Sequence, residues 1–276
     1  MRGKKIVSLL IGGIIMTSPV ISTSNDTGKV FRKVANSVVV VKALLNDEYF
    51  AQGSGVLLDD AQTIITNLHV VDESDQVIIE FPDGRKFRAK GYIAFDNKND
   101  LITIRLPMKV RGIEAIEIGE VKNRDIGNKV IAIGNPKGLS NTVSEGIISA
   151  VRDLDSHTTV IQTTAAMSSG SSGGGLFDMN AKLIGITSYL YVDGQNLNFA
   201  YPANYIKPLI KNKPPSPFYQ IQRTNANKTK GVSVYLSRTG KKYHKSTCSY
   251  LNKNKRKIQF SGAVEKGYSA CKRCWR

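Results

Sequence analysis

Gly170-Ser171-Ser172-Gly173-Gly174-Gly175 is preceded by Gln162-Thr163-Thr164-Ala165-Ala166 and followed by Leu176-Phe177-Asp178. A serine set among glycines can occupy a tight bend that exposes its hydroxyl and turns neighbouring N–H groups toward one point. A nucleophile with an oxyanion hole needs that geometry. Six glycines and serines in a row also describe a flexible tether. The flanks decide between the two: Val160-Ile161 and Leu183-Ile184-Gly185-Ile186 read as buried strands, and a tether seldom lies between two core strands of one domain.

Upstream of this loop the β-type runs continue. Val38-Val39-Val40-Val41 follows a short helical pattern from Val30, and further runs cover 51–58, 63–66, 77–81, 86–89, 101–105 and 129–133. Turn signals such as Pro82-Asp83-Gly84 and Asn135-Pro136-Lys137-Gly138 separate them, with little helical periodicity between. An all-β barrel or sandwich is therefore expected rather than alternating βαβ units.

Two further residues are candidates for chemistry. His69 lies at the end of a β run in Thr66-Asn67-Leu68-His69-Val70-Val71, and Asp100 opens Asp100-Leu101-Ile102-Thr103-Ile104. Taken alone, His69 is as well suited to a structural role, and Asp100 to a turn. An acid at a rigid strand end can hold an imidazole in one tautomer and stabilise its protonated form, a role that fits Asp100 better than Asp96, four residues farther into the loop. His157, in Asp153-Leu154-Asp155-Ser156-His157, has no partner motif and is assigned to a surface loop.

His69, Asp100 and Ser172 follow one another at gaps of 31 and 72 residues. Together with Gly53-Ser54-Gly55-Val56, Asn99-Asp100-Leu101, Gly134-Asn135-Pro136 and Phe199-Ala200-Tyr201-Pro202, these motifs make residues 30–210 resemble the trypsin-like serine protease domain of the HtrA (Deg) type. The resemblance implies two six-stranded barrels with the site between them. It also implies Ser172 as nucleophile, His69 as general base and acid, Asp100 as its orienter, and the N–H groups of Gly170 and Ser172 as oxyanion donors. Ala166, six residues before Ser172, takes the place of the specificity-pocket floor; being uncharged, it predicts cleavage after small aliphatic residues. No cofactor is expected for catalysis. Departures fall at Thr164, Ser168-Ser169, Ser171 and Gly175, where the family often has Asp, Asn-Pro, Asn and Pro, and they predict a loosely held oxyanion hole. The chain after residue 210 is also too short for the PDZ domain that such proteins usually carry.

Charge divides the 276 residues sharply. Residues 1–202 hold 21 Lys and Arg against 21 Asp and Glu, whereas residues 203–276 hold 18 against 1, which leaves the whole excess of +17 in the last quarter. Such asymmetry argues for two modules. Lys211-Asn212-Lys213-Pro214-Pro215-Ser216-Pro217 stops the preceding element, so 28–210 is expected to be the protease domain, 211–231 a linker and 232–276 a separate basic domain.

All three cysteines fall in that last module. His244-x3-Cys248 with Cys271-x2-Cys274 offers one imidazole and three thiolates, a tetrahedral set suited to structural zinc. A disulfide is the rival in an exported protein, but three cysteines leave one unpaired. The spacing resembles that of a small zinc-binding domain attached to bacterial secreted proteins, including nucleases. Asn252-Lys253-Asn254-Lys255-Arg256-Lys257, near Tyr250, Tyr268 and Trp275, suits either a polyanion, such as nucleic acid or an anionic envelope polymer, or a merely solvated basic surface.

Residues 1–24 complete the picture: Met1-Arg2-Gly3-Lys4-Lys5 precedes an apolar run from Ile6 to Met16, the pattern of an export signal, either cleaved or kept as a membrane anchor. The sequence thus predicts an exported serine endopeptidase acting on polypeptides, the alternative being an inactive protease fold that serves as a scaffold.

Overall fold

The computed structural model describes residues 26–114, 116–135, 141–155, 158–168, 170–188, 198–221, 233–237, 240–244, 248–251, 255–259 and 268–271. The expected signal (1–24), His157, and Cys274 with Trp275 lie outside them. Among the described residues no helix is long and apolar enough to cross a membrane.

A helix, α1 (Asp26–Val34), runs through one 3₁₀ turn into β1 (Val38–Leu45). β2 (Glu48–Leu57), β3 (Thr63–Asn67), β4 (Gln76–Glu80), β5 (Lys86–Arg88), β6 (Gly91–Asp96) and β7 (Leu101–Arg105) complete a first sheet in the order β5-β4-β1-β2-β3-β7-β6. A second set, β8 (Lys129–Gly134), β9 (Thr142–Asp155), β10 (Thr158–Thr163), β11 (Gly175–Asp178), β12 (Leu183–Ser188) and β13 (Asn198–Pro202), closes into a six-stranded barrel. The fold is all-β with two barrel-like sheets. The first has seven strands rather than the six implied by resemblance; the one not among the β-type runs expected from the sequence is β6, which pairs with β7.

The valine run shows why the strands read as unbroken apolar stretches. Successive side chains in a strand point to opposite faces. In β1, Val39, Val41 and Ala43 enter a cluster with Leu57, Ile64, Ile102 and Ile104 of the first sheet. Val38 turns the other way, into a cluster shared with Ile131, Phe177, Leu183 and Tyr201 of the second barrel and with Val30 and Val34 of α1. β8 behaves alike, with Ile131 and Ile133 in the shared cluster and Val130 and Ala132 in one confined to the second barrel. Both faces are buried, so no polar alternation remains to be seen.

After β13 comes a 3₁₀ segment, Ala203–Leu209, that contains Pro208. The stretch expected to be a free linker is then docked over part of its length. Tyr92 donates its N–H to the Ser216 carbonyl at 2.9 Å, and Ser216 donates back to Tyr92 at 2.8 Å. Phe218 and Ile221 sit in the core of the first sheet, at 3% and 0% exposure. Gly91 is required there, since a Cβ on it would lie 2.3 Å from the Ser216 oxygen.

The last module forms a small sheet, β14 (Ser233–Leu236), β15 (Lys242–His244), β16 (Arg256–Gln259) and β17 (Ser269–Ala270), ordered β16-β14-β15-β17. Its buried apolar core among the described residues is Val234, Leu236 and Tyr243. Three side chains offset little of the conformational entropy lost on folding, so a module of this size needs a further constraint.

If residues 216–221 are a structural strap, Phe218→Ala will lower the stability of the protein by about 3–5 kcal/mol, as buried Phe truncations do. Lys213→Ala, at an exposed position in the same stretch, will stay within about 0.5 kcal/mol of wild type. Urea unfolding of both variants checks this.

Candidate active site

β3 ends at Asn67, and the chain makes a single 3₁₀ turn, Leu68–Val70, that lifts His69 off the sheet. Asp100 faces it from the start of β7. The Asp100 carboxylate accepts the His69 backbone N–H on Oδ1 at 2.9 Å and lies 2.6 Å from the ring Nδ1 on Oδ2. A carboxylate only accepts, so Nδ1 carries the proton and Nε2 is left as the basic nitrogen.

Asp100 is held from its main chain as well. Its carbonyl accepts from Leu68 N at 3.0 Å and from Asn67 Nδ2 at 2.9 Å. Its φ of 49° lies in the left-handed region, a conformation in which Asp is over-represented and which tends to persist where surrounding bonds enforce it. Asp96, the other acid considered, spends its carboxylate on the turn, accepting from the Lys98 and Asn99 backbone N–H groups and from Asn99 Nδ2. Burial raises the Tyr201 phenol above its ordinary value, and the nearby Asp100 and Asp96 carboxylates push it the same way, so Tyr201 stays neutral beside this pair.

The serine loop lies on the opposite side of a glycine contact. A Cβ on Gly53 would stand 2.7 Å from Val70, the residue after His69, and 3.0 Å from the Ser172 carbonyl oxygen. The two segments therefore meet over Gly53. Among the described residues, 170–174 are tied to both barrels by hydrogen bonds. Ser54 donates its N–H to Ser172 O at 2.8 Å and its hydroxyl to Gly170 O at 2.8 Å. Thr187 donates its hydroxyl to Ser171 O at 2.6 Å. Gly173 N donates to Thr187 O at 2.8 Å, and Thr187 N to Gly174 O at 2.9 Å.

Ser54 is itself fixed. Its hydroxyl accepts from Asn135 N at 2.8 Å, and its carbonyl accepts from Thr66 Oγ1 at 2.6 Å. Asn135 in turn donates its side-chain amide to Val39 O at 2.8 Å, tying the second barrel back to β1. Ser54 and Asn135 stand within the motifs read from the sequence but without a role there, and Thr187 stands outside them. For Thr187 the available signal was a hydroxyl inside a largely apolar, fully buried strand, where it must find a partner.

Other expected residues are placed less completely. Gly170 has φ 91°, the turn conformation glycine permits, while its neighbour Ser169 lies outside the described residues. Ala166 is exposed and its carbonyl accepts from Ser144 Oγ at 2.7 Å. Residues 189–197, which follow β12, are outside the described residues.

With the loop and the His–Asp pair in place, the comparisons are informative. Residues 53–186 match the family described as the trypsin-like peptidase domain. Over that span, 134 of the 276 residues, the chain is similar to trypsin-like peptidase domains. It is 38% identical over 170 residues to the periplasmic serine endoprotease DegP of Salmonella typhimurium, covering 59% of this chain and 35% of that protein. It is 32% identical over 186 residues to the putative serine protease HhoA of Synechocystis, covering 63% and 47%. Among solved structures it is similar to the HtrA-type protease AlgW with tripeptide (30% identity, TM-score 0.58, 66% of this chain and 61% of that one) and to a serine endoprotease from Yersinia pestis (28%, TM-score 0.59, 79% and 73%). The two barrel-like sheets are those of the chymotrypsin-like protease fold. The matched region is about a third of the length of the DegP relatives.

The tail brings together three of its four expected ligands. His244 Nδ1, Cys248 Sγ and Cys271 Sγ lie within 4.8 Å of one another, and all three residues are buried. Cys248 and Cys271 are not joined by a disulfide, their sulfurs standing 3.9 Å apart, and His244 Nδ1 is 3.2 Å from Cys248 Sγ. Two thiolates on a tetrahedral zinc at the usual bond length stand about 3.8 Å apart, so this spacing fits a metal and is too wide for a disulfide. Burial lowers the His244 basicity and Lys242 adds to the effect, which favours the neutral, ligating imidazole.

The close approach over the loop can be measured at one glycine. Gly173 has φ 85°, and a Cβ there would fall 2.1 Å from Ser54 O and 2.2 Å from Thr66 Oγ1. Gly127 has φ 94° with nothing within 4 Å. Gly127→Ala will therefore cost only the left-handed strain, about 1–2 kcal/mol. Gly173→Ala adds overpacking against backbone and will cost about 3–5 kcal/mol by denaturant unfolding.

Proposed function

We propose that this chain is an exported serine endopeptidase that hydrolyses peptide bonds through an acyl-enzyme. The observation that carries the proposal is the double hold of the Asp100 carboxylate on His69, 2.9 Å to the backbone N–H and 2.6 Å to Nδ1, beside a bonded serine loop. Ser172 Oγ attacks the substrate carbonyl while His69 Nε2 takes its proton. The N–H groups of Gly170 and Ser172 receive the oxyanion, a contribution of about a hundred- to a thousandfold per donor. His69 then returns the proton to the leaving amine, and water repeats the cycle in reverse to free the acid. Asp100 stays ionised throughout, holding the tautomer and stabilising the imidazolium. Apart from the substrate and the hydrolytic water, every group in these steps is a protein side chain or backbone N–H.

Export is supported by the basic and apolar residues of 1–16 and by relatives named as periplasmic. An uncharged Ala166 supports cleavage after Val, Ala or Ile in preference to Arg or Glu. The tail would hold a structural zinc through His244, Cys248, Cys271 and Cys274, and when bound the ion would supply folding energy rather than chemistry. The excess of 18 basic over 1 acidic residue in 203–276, with Lys255 stacked 4.9 Å over Tyr235, supports a polyanion as its partner.

A fluorophosphonate probe with peptide mapping tests the central claim: the label will fall on Ser172, and Ser172→Ala will lose both label and peptidase activity while unfolding like wild type. Asp100→Asn, which keeps the shape and loses the charge, will lose on the order of ten-thousandfold in kcat. Equal turnover by wild type and Ser172→Ala would discard the nucleophile.

Elemental analysis of the full-length protein will find one zinc per chain, and a chelator will release the tail from polyanion without lowering peptidase turnover. A disulfide between Cys271 and Cys274 would remove the metal, and zinc without salt-sensitive binding to DNA would remove the polyanion.

A further inference from the structure

Three consecutive peptide groups of the serine loop are held in different ways. In the first, Gly170 O accepts from Ser54 Oγ and Ser171 N donates to Ser168 O at 2.9 Å. In the third, Ser172 O accepts from Ser54 N and Gly173 N donates to Thr187 O. In the middle group, Ser171 O accepts from Thr187 Oγ1 at 2.6 Å and from Gly174 N at 3.0 Å, and its other end is the N–H of Ser172.

A trans peptide is planar, with C=O and N–H pointing in opposite directions. Whatever fixes the Ser171 carbonyl therefore fixes the direction of the Ser172 N–H. We propose that Thr187 is a positioning residue for catalysis, whose hydroxyl holds the Ser171 carbonyl and so aims the Ser172 N–H at the developing oxyanion. The proposal rests on Ser172 being the nucleophile.

Two properties of Thr187 suit it to this task. Its backbone is pinned to the same loop by two hydrogen bonds, and the residue is 2% exposed, so the hydroxyl has little freedom to wander. Its β-branched side chain is stiff at χ1. A hydrogen bond accepted at the carbonyl also polarises the amide, which makes the N–H at the far end a stronger donor. The turn bond from Gly174 is local to the loop; Thr187, on β12, anchors the peptide to the barrel wall.

Thr187→Val removes the hydroxyl and preserves shape and both backbone bonds. It will lower kcat/KM for a peptide amide by about 10- to 100-fold, somewhat less than loss of a whole donor, with KM within about twofold. Affinity for a peptidyl trifluoromethyl ketone, which binds as an oxyanion, will fall in parallel, while an uncharged peptide product will bind as before. Thr187→Ser, which keeps the hydroxyl and loses the methyl, will stay near wild type on both measures. A residue needed only for packing would give the reverse order, with Val benign and Ser impaired.

Full activity in Thr187→Val would overturn the inference. Should that variant fail to fold, Thr187→Ser and Thr187→Ala differ only in the hydroxyl, and equal kcat/KM in that pair would overturn it equally. The foundation is checked separately: a wild-type protein that neither hydrolyses the peptide nor takes the fluorophosphonate label on Ser172 removes the peptidase assignment, and the role of Thr187 with it, whereas a labelled wild type with an unimpaired Val variant removes the role of Thr187 alone.

Discussion

The hydrogen bonds from Ser54 to the carbonyls of Ser172 and Gly170 join the two halves of this protein at the point where its chemistry would occur. Ser54 belongs to a strand of the first sheet, and the serine loop leads into a strand of the second barrel. A loop carrying Gly170, Gly173 and Gly174 has few intrinsic constraints, because glycine leaves most of the backbone map open. Its shape must come from outside. Donors from Ser54 on one side and Thr187 on the other supply that shape, so the serine loop takes this conformation only where the barrels are docked.

This dependence explains where glycine is needed. At Gly53, Gly134 and Gly173 a Cβ would lie 3.0 Å from the Ser172 carbonyl oxygen, 3.2 Å from the Ser54 hydroxyl and 2.1 Å from the Ser54 carbonyl oxygen respectively, all across the junction of the two halves. Side chains there would hold the barrels apart and lengthen every bond to the loop. The apolar cluster shared by Val38, Ile131, Phe177 and Tyr201 supplies the attraction that closes the junction, and the small residues let the backbones come within hydrogen-bonding reach. Burial provides the larger energy, whereas the glycines and Ser54 fix the register in which it is realised.

Much of this was legible in the residues. The strands were, because β-branched runs such as Val38–Val41 and Leu183–Ile186 have few other uses. The His69 and Asp100 positions were legible as polar residues at strand ends, and the structure separates Asp100 from Asp96 by what each carboxylate accepts. The roles of Ser54 and Thr187 were not. A hydroxyl in a buried strand must bond somewhere, but its partner depends on a register fixed by contacts more than a hundred residues away, as between Ser54 and Gly170. The strap was missed for a related reason: Pro214, Pro215 and Pro217 mark chain that cannot be helix, and only the docked structure reveals that Phe218 and Ile221 complete a core begun at β1.

The strap also bears on how the basic tail relates to the rest. Because Ser216 pairs with Tyr92 and Ile221 is buried in the first sheet, the tether to the last module begins after residue 221 rather than at residue 211. From Ile221 to Ser233 the chain has 12 residue steps, which at about 3.3–3.6 Å each reach no farther than about 40 Å. At that distance exposed charges are screened from one another in physiological salt, where the Debye length is about 8 Å. The 12 basic and 1 acidic residues of 232–276, a net +11, would at that distance exert little direct field on the His69–Asp100 pair. On the polyanion proposed above, the tail's effect on a substrate would be concentration, since a bound tail would keep residues 26–221 within that reach of whatever lies on the same surface.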